Sequence, residues 1–330
     1  MSQSSVLKGV CLGLVILATG CGGRPSGENG ETTAEPGAGT FYWVQPLKGH
    51  PVHQMTQIAF REGCRKLGYR CEIIGTETLD IAGTIALAEQ ALATGNAKGM
   101  AIWTGNPAWN PLIEKVGEAG IPVVLPHFPV EEGTVPGATG IISCDPADYA
   151  IEAAQEIGKA IGGKGAVAVT QGSFNTTENM VAEVFTKTMR EQYPEVKVLD
   201  PEEEGFDAPK AISKAVFLLQ AHPDIVAAIS TTGGGPTTWA GGQRETGREI
   251  VAVGMDYTRI NLDLVKNGEI HAVIGQPLWG ESFGAAELLD KAVRGEEIPW
   301  WTKLPAPLIT QDKLAHYDKL LDKVEAAISE

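Results

Sequence analysis

Basic residues are scarce in this chain, and long apolar runs are almost absent. The 330-residue sequence has 26 lysines and arginines against 41 aspartates and glutamates, a formal net charge of −15 at pH 7. Nucleic-acid binding needs a basic face that neutralises phosphates, so no nucleic-acid partner is expected. Beyond residue 20, no apolar stretch approaches the roughly 20 residues that a membrane span requires. The composition predicts an acidic globular body with a sizeable core.

Motifs for catalysis and for cofactor or metal binding are also missing. His50 and His53 are the one close histidine pair, and no carboxylate cluster accompanies them, so no metal site is expected. Residues 158–164 have the spacing of a phosphate loop, but Gly165 stands where serine or threonine is needed. Residues 280–284 match Gly-x-Ser-x-Gly, but no predicted strand runs directly into them, so the strand-to-helix elbow that presents a nucleophilic serine is not expected there. The sequence therefore predicts a binding protein without a cofactor rather than an enzyme, with an exported α/β enzyme as the alternative.

The first 40 residues predict export. Lys8 is followed by an apolar stretch over residues 9–18 and by small residues before Cys21, which is the pattern of a signal peptide over 1–20. The ending Ala18-Thr19-Gly20-Cys21 resembles a bacterial lipoprotein cleavage box, which implies that Cys21 is lipidated; a plain secretory signal is the alternative. Residues 21–40 contain no large apolar side chain, which predicts a flexible tether.

Three cysteines remain in the body of the chain. Cys64 and Cys71 flank a predicted turn at Gly68, so that a disulfide and a pair of buried thiols are both open interpretations. No Cys-x-x-Cys spacing is present, and Cys144 is interpreted as a buried thiol.

Short apolar runs alternate with stretches of helical periodicity from residue 41 onward, which predicts a mainly parallel sheet wrapped by helices. The runs are 41–44, 71–74, 99–103, 122–125, 140–142, 166–170, 196–199, 226–229, 250–253 and 272–274. Ten runs, with a change of turn chemistry near residue 144, favour two doubly wound α/β lobes over an eight-stranded barrel. Ligands of open α/β sheets bind beyond the carboxyl ends of the strands.

Several stretches of the chain follow an order and spacing that resemble one family. They are residues 59–63, 67–69, 120–124, 221–225, 253–256 and 268–276. Together they resemble the type I periplasmic solute-binding proteins, in the ribose- and galactose-binding branch, over 41–330. The resemblance implies two lobes, 41–144 plus 277–304 and 145–276 plus 305–330, joined by a three-crossover hinge near Cys144, Gln276 and Lys303.

The same resemblance implies a function. A monomeric lipoprotein on the outer face of a bacterial membrane would close its lobes on a sugar, polyol or related small hydroxylated ligand and deliver it to an ABC permease. A sensory receptor for a sugar-like signalling molecule is the alternative that keeps this fold.

The site residues follow from the resemblance and from their position after predicted strands. Asp256 stands where the family has a carboxylate that accepts two sugar hydroxyls, although an aspartate there also suits a helix N-cap. Gln276 corresponds to a hinge-side amide. Six residues in four predicted loops depart from the family pattern. His127-Phe128 replace Asp-Arg, and Asn179 replaces an arginine. Thr232 replaces an asparagine, while His50 and His53 replace an asparagine and an aromatic residue. The remaining candidate ligand-binding residues are Trp103, Asn106, Phe206 and Met255.

Overall fold

Two separate sheets carry the fold of residues 39–329, the part of the chain that the computed structural model describes. The first sheet has the strand order β12-β5-β4-β3-β1-β2, and all its pairings are parallel. Its strands are β1 (Thr40–Val44), β2 (Arg70–Ile74), β3 (Ala97–Ile102), β4 (Val123–Pro126), β5 (Gly140–Ser143) and β12 (Trp301–Lys303). The predicted signal over 1–20, the lipidated Cys21 and most of the predicted tether lie outside the described residues.

The second sheet has the order β13-β11-β10-β9-β6-β7, with β8 also paired to β6. Only its edge strand β13 runs antiparallel to its neighbour. The strands are β6 (Gly165–Gln171), β7 (Val196–Val198), β8 (Glu202–Glu203), β9 (Ile225–Ser230), β10 (Val251–Met255), β11 (Ala272–Ile274) and β13 (Leu308–Ile309). The chain passes between the sheets after β5, β11 and β12, which are the three crossovers expected from the resemblance.

Ten α-helices flank the two sheets in the described part of the chain. They are α1 (Pro51–Leu67), α2 (Ile81–Ala93), α3 (Asn110–Glu118), α4 (Pro146–Ala160), α5 (Thr176–Gln192), α6 (Ala208–Ala221), α7 (Gly235–Thr246), α8 (Arg259–Lys266), α9 (Leu278–Val293) and α10 (Leu314–Ser329). Helices α1, α2, α3 and α9 pack with the first sheet, and we call this assembly the first lobe. The second sheet with α4–α8 and α10 is the second lobe. None of the helices in residues 39–329 is long and apolar enough to cross a membrane.

Buried apolar strands explain why the periodicity located the sheets. All five residues of β1 are buried, as are the four of β4 and the four of β5, because parallel strands are covered by helices on both faces. All ten predicted strands are present, with ends shifted by up to two residues. The prediction of two doubly wound α/β lobes is confirmed, and the barrel alternative is wrong because the strands do not close into one ring.

Helix ends also follow the sequence signals. Gly68 and Gly247 adopt left-handed backbone and end α1 and α7, as glycine does without a steric penalty. At the first crossover of the chain, the Asp145 side chain accepts a hydrogen bond from the Ala147 N–H at 3.0 Å, and Pro146 occupies the first helical position. This cap begins α4 directly after the chain leaves the first sheet.

Two sequence interpretations are resolved by the packing. Cys64 and Cys71 are free thiols, and so is the buried Cys144. An acidic run such as residues 202–204 is ordinarily a solvated turn, but the structure shows otherwise here. Its first two residues form β8, and Glu204 is a buried carboxylate that accepts hydrogen bonds from Ser230 and Thr238. Burial raises the pKa of Glu204.

Helix α10 contacts both lobes. Arg259, the first residue of α8, donates to Asp318 at 3.1 Å, to Asp322 at 2.6 Å and to Glu325 at 2.9 Å, which fastens α10 to the second lobe. Lys323 of the same helix pairs with Glu62 of α1, in the first lobe, at 2.6 Å. The C-terminal helix therefore links the two lobes on the side of α1 and α8.

Candidate functional site

Strained backbone marks the strand ends where ligands of this architecture bind. Three non-glycine residues of the described chain have positive φ: Leu47 at 59°, His127 at 79° and Asp256 at 68°. They follow β1, β4 and β10, respectively. The left-handed region costs such residues about 1–2 kcal/mol, and strain of this kind concentrates at functional sites. These loops are therefore the place to look for binding residues.

Asp256 is a buried carboxylate without a partner. It is 8% exposed, and no described residue donates a hydrogen bond to its side chain, with Oδ1 wholly enclosed. Burial raises the pKa of Asp256 to about 6, the nearby His127 opposes that rise, and Glu281 adds to it. Gly233 lies so close that a Cβ at that position would be 2.6 Å from Oδ2. The carboxylate is thus held against a glycine loop with its acceptors unused.

The alternative role of Asp256 as a helix cap is wrong. The N-cap of α8 is Thr258, whose hydroxyl accepts from the Asn261 N–H at 3.2 Å. Asn261 in turn donates from Nδ2 to the backbone carbonyl of Asp256 at 3.0 Å, which holds the loop in place. The helix end is therefore satisfied by other residues, and the Asp256 side chain has no structural hydrogen bond to make.

His127 forms a buried pair with a carboxylate that sequence reasoning missed. Its Nδ1 lies 2.9 Å from Oε1 of Glu281, a residue in the first turn of α9 that is fully buried. The other oxygen of Glu281, Oε2, has no partner among the described residues. Burial acts to lower the pKa of His127, but the charge and the hydrogen bond of Glu281 outweigh it, and the pKa is raised.

Aromatic rings surround His127. The Trp103 ring stacks on the imidazole with centroids 4.2 Å apart and an interplanar angle of 13°. Phe128 meets both rings edge-on, at 6.0 Å from Trp103 and 4.7 Å from His127. The two aromatic residues that sequence reasoning placed directly at strand ends therefore lie together with the imidazole.

His53 is fixed in one protonation state. Its Nδ1 lies 3.0 Å from the carbonyl oxygens of both Pro46 and Leu47, so Nδ1 carries the proton and Nε2 is left as an acceptor. Burial and the neighbouring His50 lower the pKa of His53 to about 4, although the two carbonyls act in the opposite direction. The ring is 5.7 Å from Trp103, while His50 is exposed beside it. His53 therefore offers a neutral acceptor at the edge of the ring cluster.

The second lobe contributes residues at the ends of β6 and β9. Phe206 is 76% exposed, and its ring lies over Gly172, where a Cβ would be 2.6 Å from Cε1. The half-buried Thr232 borders the same glycine, with Oγ1 at 2.9 Å from that Cβ position. Asn179 is engaged in a hydrogen bond in which its Oδ1 accepts from Gln171 at 3.0 Å.

Three other predicted site residues have different surroundings. Met255 is 3% exposed and packs in the core of the second lobe, and its contact with a ligand stays a prediction. Asn106 is exposed and accepts from the Ala108 N–H at 2.9 Å, capping a 3-10 turn. Gln276 lies at the second crossover and is 9% exposed, with no side-chain hydrogen bond to any described residue.

The geometry resembles a receptor cleft more than a catalytic centre, and comparisons with known proteins agree. A family model described as a periplasmic binding protein domain matches residues 41–297. A curated D-apiose import binding protein from Actinobacillus succinogenes is 26% identical over 189 residues, which is 55% of this chain. The match spans 59% of the length of that relative.

Solved structures show the same fold. A sugar-binding protein of a sugar ABC transporter from Bacillus halodurans superposes with a TM-score of 0.78 at 22% identity, over 84% of this chain and 99% of that one. A glucose-galactose binding protein from Geobacillus stearothermophilus gives a TM-score of 0.75 at 20% identity with the same coverage. Two parallel-sheet lobes joined by three crossovers are thus shared by this chain and these proteins.

Proposed function

The chain belongs to the periplasmic binding protein family, and from that premise we propose that it captures a sugar or polyol between its lobes for an ABC importer. Membership of this family agrees with the prediction of a binding protein rather than an enzyme. The observation that carries the proposal is the buried carboxylate of Asp256, whose acceptors are unused and whose charge interacts with His127, the residue on which the Trp103 ring stacks. Ionised carboxylates accept paired hydroxyls, and aromatic faces pack on the apolar face of a sugar.

The same premise extends to the arrangement of the chain. We propose that residues 41–144 plus 277–304 and 145–276 plus 305–330 move as two lobes about the crossovers, and the sheet to which each strand belongs supports this division. The ligand would contact His53, Trp103, His127 and Phe128 from the first lobe and Asp256 and Phe206 from the second. Contacts from both sides favour the closed form, because only differential contact with the two states shifts their populations.

Other residues predicted from the sequence complete the proposed ligand site. Gln276 presents an unpaired amide at the hinge, with both a donor and an acceptor available. His50, Asn106, Asn179 and Thr232 would form the polar rim. The names of two similar proteins support the class of ligand. One is a D-apiose import binding protein, and the other is a glucose-galactose binding protein.

A thermal-shift screen over pentoses, hexoses and polyols tests the function. A ligand that binds only the folded state raises the melting temperature by mass action. We expect a shift with a hydroxylated ligand, its loss in Asp256→Asn and its retention in Asp263→Asn. Asp263 is an exposed aspartate of α8 without a side-chain partner in the described chain, which makes it the matched control. No shift with any sugar, or a shift that survives in Asp256→Asn, would contradict the proposal.

Lipid anchoring is proposed separately, from residues outside the described part of the chain. The sequence Ala18-Thr19-Gly20-Cys21 is what supports it. Labelled fatty acid should be incorporated by cells that express the full chain and should not be incorporated by the Cys21→Ser variant. Label in that variant would refute anchoring at Cys21 without affecting the sugar-binding proposal.

A further inference from the structure

Hydrogen-bond acceptors dominate the candidate cleft. Asp256 and Glu281 each carry a buried oxygen without a partner among residues 39–329. His53 adds a neutral Nε2, because its proton is committed to two backbone carbonyls through Nδ1. Glu178, in the first turn of α5, already accepts from the Gly172 N–H at 2.6 Å and from the Thr231 hydroxyl at 2.8 Å. The ligand must therefore bring donors.

Cationic side chains are not available to balance these carboxylates. In the part of the chain that the structure describes, no lysine or arginine forms an ion pair with Asp256, Glu281 or Glu178. The nearest lysine at the hinge, Lys303, is committed to two other carboxylates, Asp145 and Asp148, at 2.9 and 2.8 Å. Among the described residues, the basic side chain that pairs with one of these three carboxylates is His127, whose Nδ1 is bonded to Glu281.

A neutral polyol would satisfy the hydrogen bonds but not the charge. A buried carboxylate is costly unless it is both hydrogen-bonded and paired with a cation. A hydroxyl supplies one donor and no charge, whereas an ammonium group supplies three donors and one positive charge. The Trp103 and Phe128 rings favour the same group, because aromatic faces attract cations.

We propose that the ligand is a hydroxylated molecule that also carries a protonated amine, such as an amino sugar or an amino polyol. Its ammonium group pairs with Asp256, and its hydroxyls donate to Glu281 and His53. This inference rests on the proposed function and narrows its ligand class. It also accounts for the departures from the family pattern, since an arginine at position 128 or 179 would compete for the same carboxylates.

Matched ligand pairs test this inference by titration calorimetry at pH 7. The probes are D-glucosamine, D-galactosamine, D-mannosamine and 1-amino-1-deoxy-D-sorbitol, each with its hydroxyl parent and, for the three sugars, its N-acetyl derivative. The N-acetyl group keeps the nitrogen but removes its charge. In at least one pair the amine should bind about tenfold or more tightly than both neutral partners, because the charge-assisted hydrogen bonds are lost in the latter.

Variants separate the charge of Asp256 from its shape. Asp256→Asn should remove the preference for the amine, Glu281→Gln should weaken it, and Asp263→Asn should leave it unchanged. Urea unfolding of each variant verifies that it is folded. Neutral sugars that bind as tightly as their amines overturn the inference and leave the sugar-binding function standing. A panel in which no amine binds also overturns it, and failure of every sugar in the thermal-shift screen removes the underlying function as well.

Discussion

Replacing Asp256 by asparagine should stabilise the empty protein. The carboxylate is 8% exposed and receives no side-chain hydrogen bond in the described chain, so its ionised form is disfavoured in the folded state. Burial raises its pKa from 3.8 to about 6. An amide of the same shape carries no charge that would have to be buried. The variant therefore gives up ligand binding and gains stability.

The structure gives the size and the pH range of this gain. Below pH 3.8 the carboxyl is protonated in both states and contributes nothing. As the pH rises, the unfolded chain loses this proton first, and the free energy of unfolding of the natural chain falls until the folded-state pKa of about 6 is passed. A difference of about two pKa units corresponds to about 3 kcal/mol. Above pH 7, Asp256→Asn should be more stable by about that amount.

Urea unfolding of the ligand-free chain and of the variant, at a series of pH values from 3.5 to 8, measures the difference. The free-energy gap should be near zero at the acid end and should grow between pH 4 and 6. The control Asp263→Asn should show no such pH dependence, since that side chain is exposed. A gap that is constant with pH, or a variant less stable than the natural chain at pH 7, would refute the assignment of Asp256 as a buried unpaired carboxylate.

Three further predictions concern other parts of the fold. Glu281→Gln should lower the pKa of His127, because it removes the charge that opposes the effect of burial and leaves only the charge of Asp256 to do so; NMR titration of the ring would show it, and an unchanged pKa would contradict the pairing. Gly172→Ala should weaken ligand binding about tenfold without loss of stability, as the new Cβ meets the exposed Phe206 ring, and calorimetry with unfolding curves would separate the two effects. Arg259→Ala should lower the free energy of unfolding by about 1 kcal/mol, less in high salt, because it removes three ion pairs.

A matched control exists for the last of these. Lys319 is an exposed lysine of α10 without an ion pair in the described chain, so Lys319→Ala removes a positive charge from the helix that Arg259 fastens, without breaking an ion pair. Equal destabilisation by Arg259→Ala and Lys319→Ala would indicate an effect of net charge rather than of the fastening of α10.

The sequence predicted those strands whose apolar runs are long enough to be recognised. β3 and β6, with six and seven residues, were located because nearly all their side chains are buried. β8 and β13 have two residues each, too few for any periodicity, and β12 has three residues of which none is buried, so that it is not an apolar run. Strands of this length form because a neighbouring strand supplies hydrogen bonds, and the local sequence does not indicate which strand lies beside them.

The residues of the candidate site were likewise predictable only where they follow a strand that the sequence reveals. Asp256 and His127 were identified because they directly follow strands whose ends are visible in the sequence. Glu281 was missed because it lies inside a helix, 154 residues from the histidine that it contacts. A glutamate in a helix is ordinarily a solvated residue, and nothing in the flanking sequence indicates that this one is fully buried. The positive φ of His127 was equally hidden, since no glycine marks the position.

The crossovers have a consequence for the order in which the parts of the polypeptide can fold. Strand β12 pairs with β5, and the Trp301 indole donates to Ser143, 158 residues earlier in the chain. The first sheet therefore lacks its edge strand until residues 301–303 are free to pair. Pairings between such distant residues slow folding, because the long intervening loop must lose conformational entropy before the stabilising contacts can form. A chain that has folded only as far as β11 thus keeps the β5 edge of its first sheet unpaired, and completion of the first lobe requires the strand that follows α9.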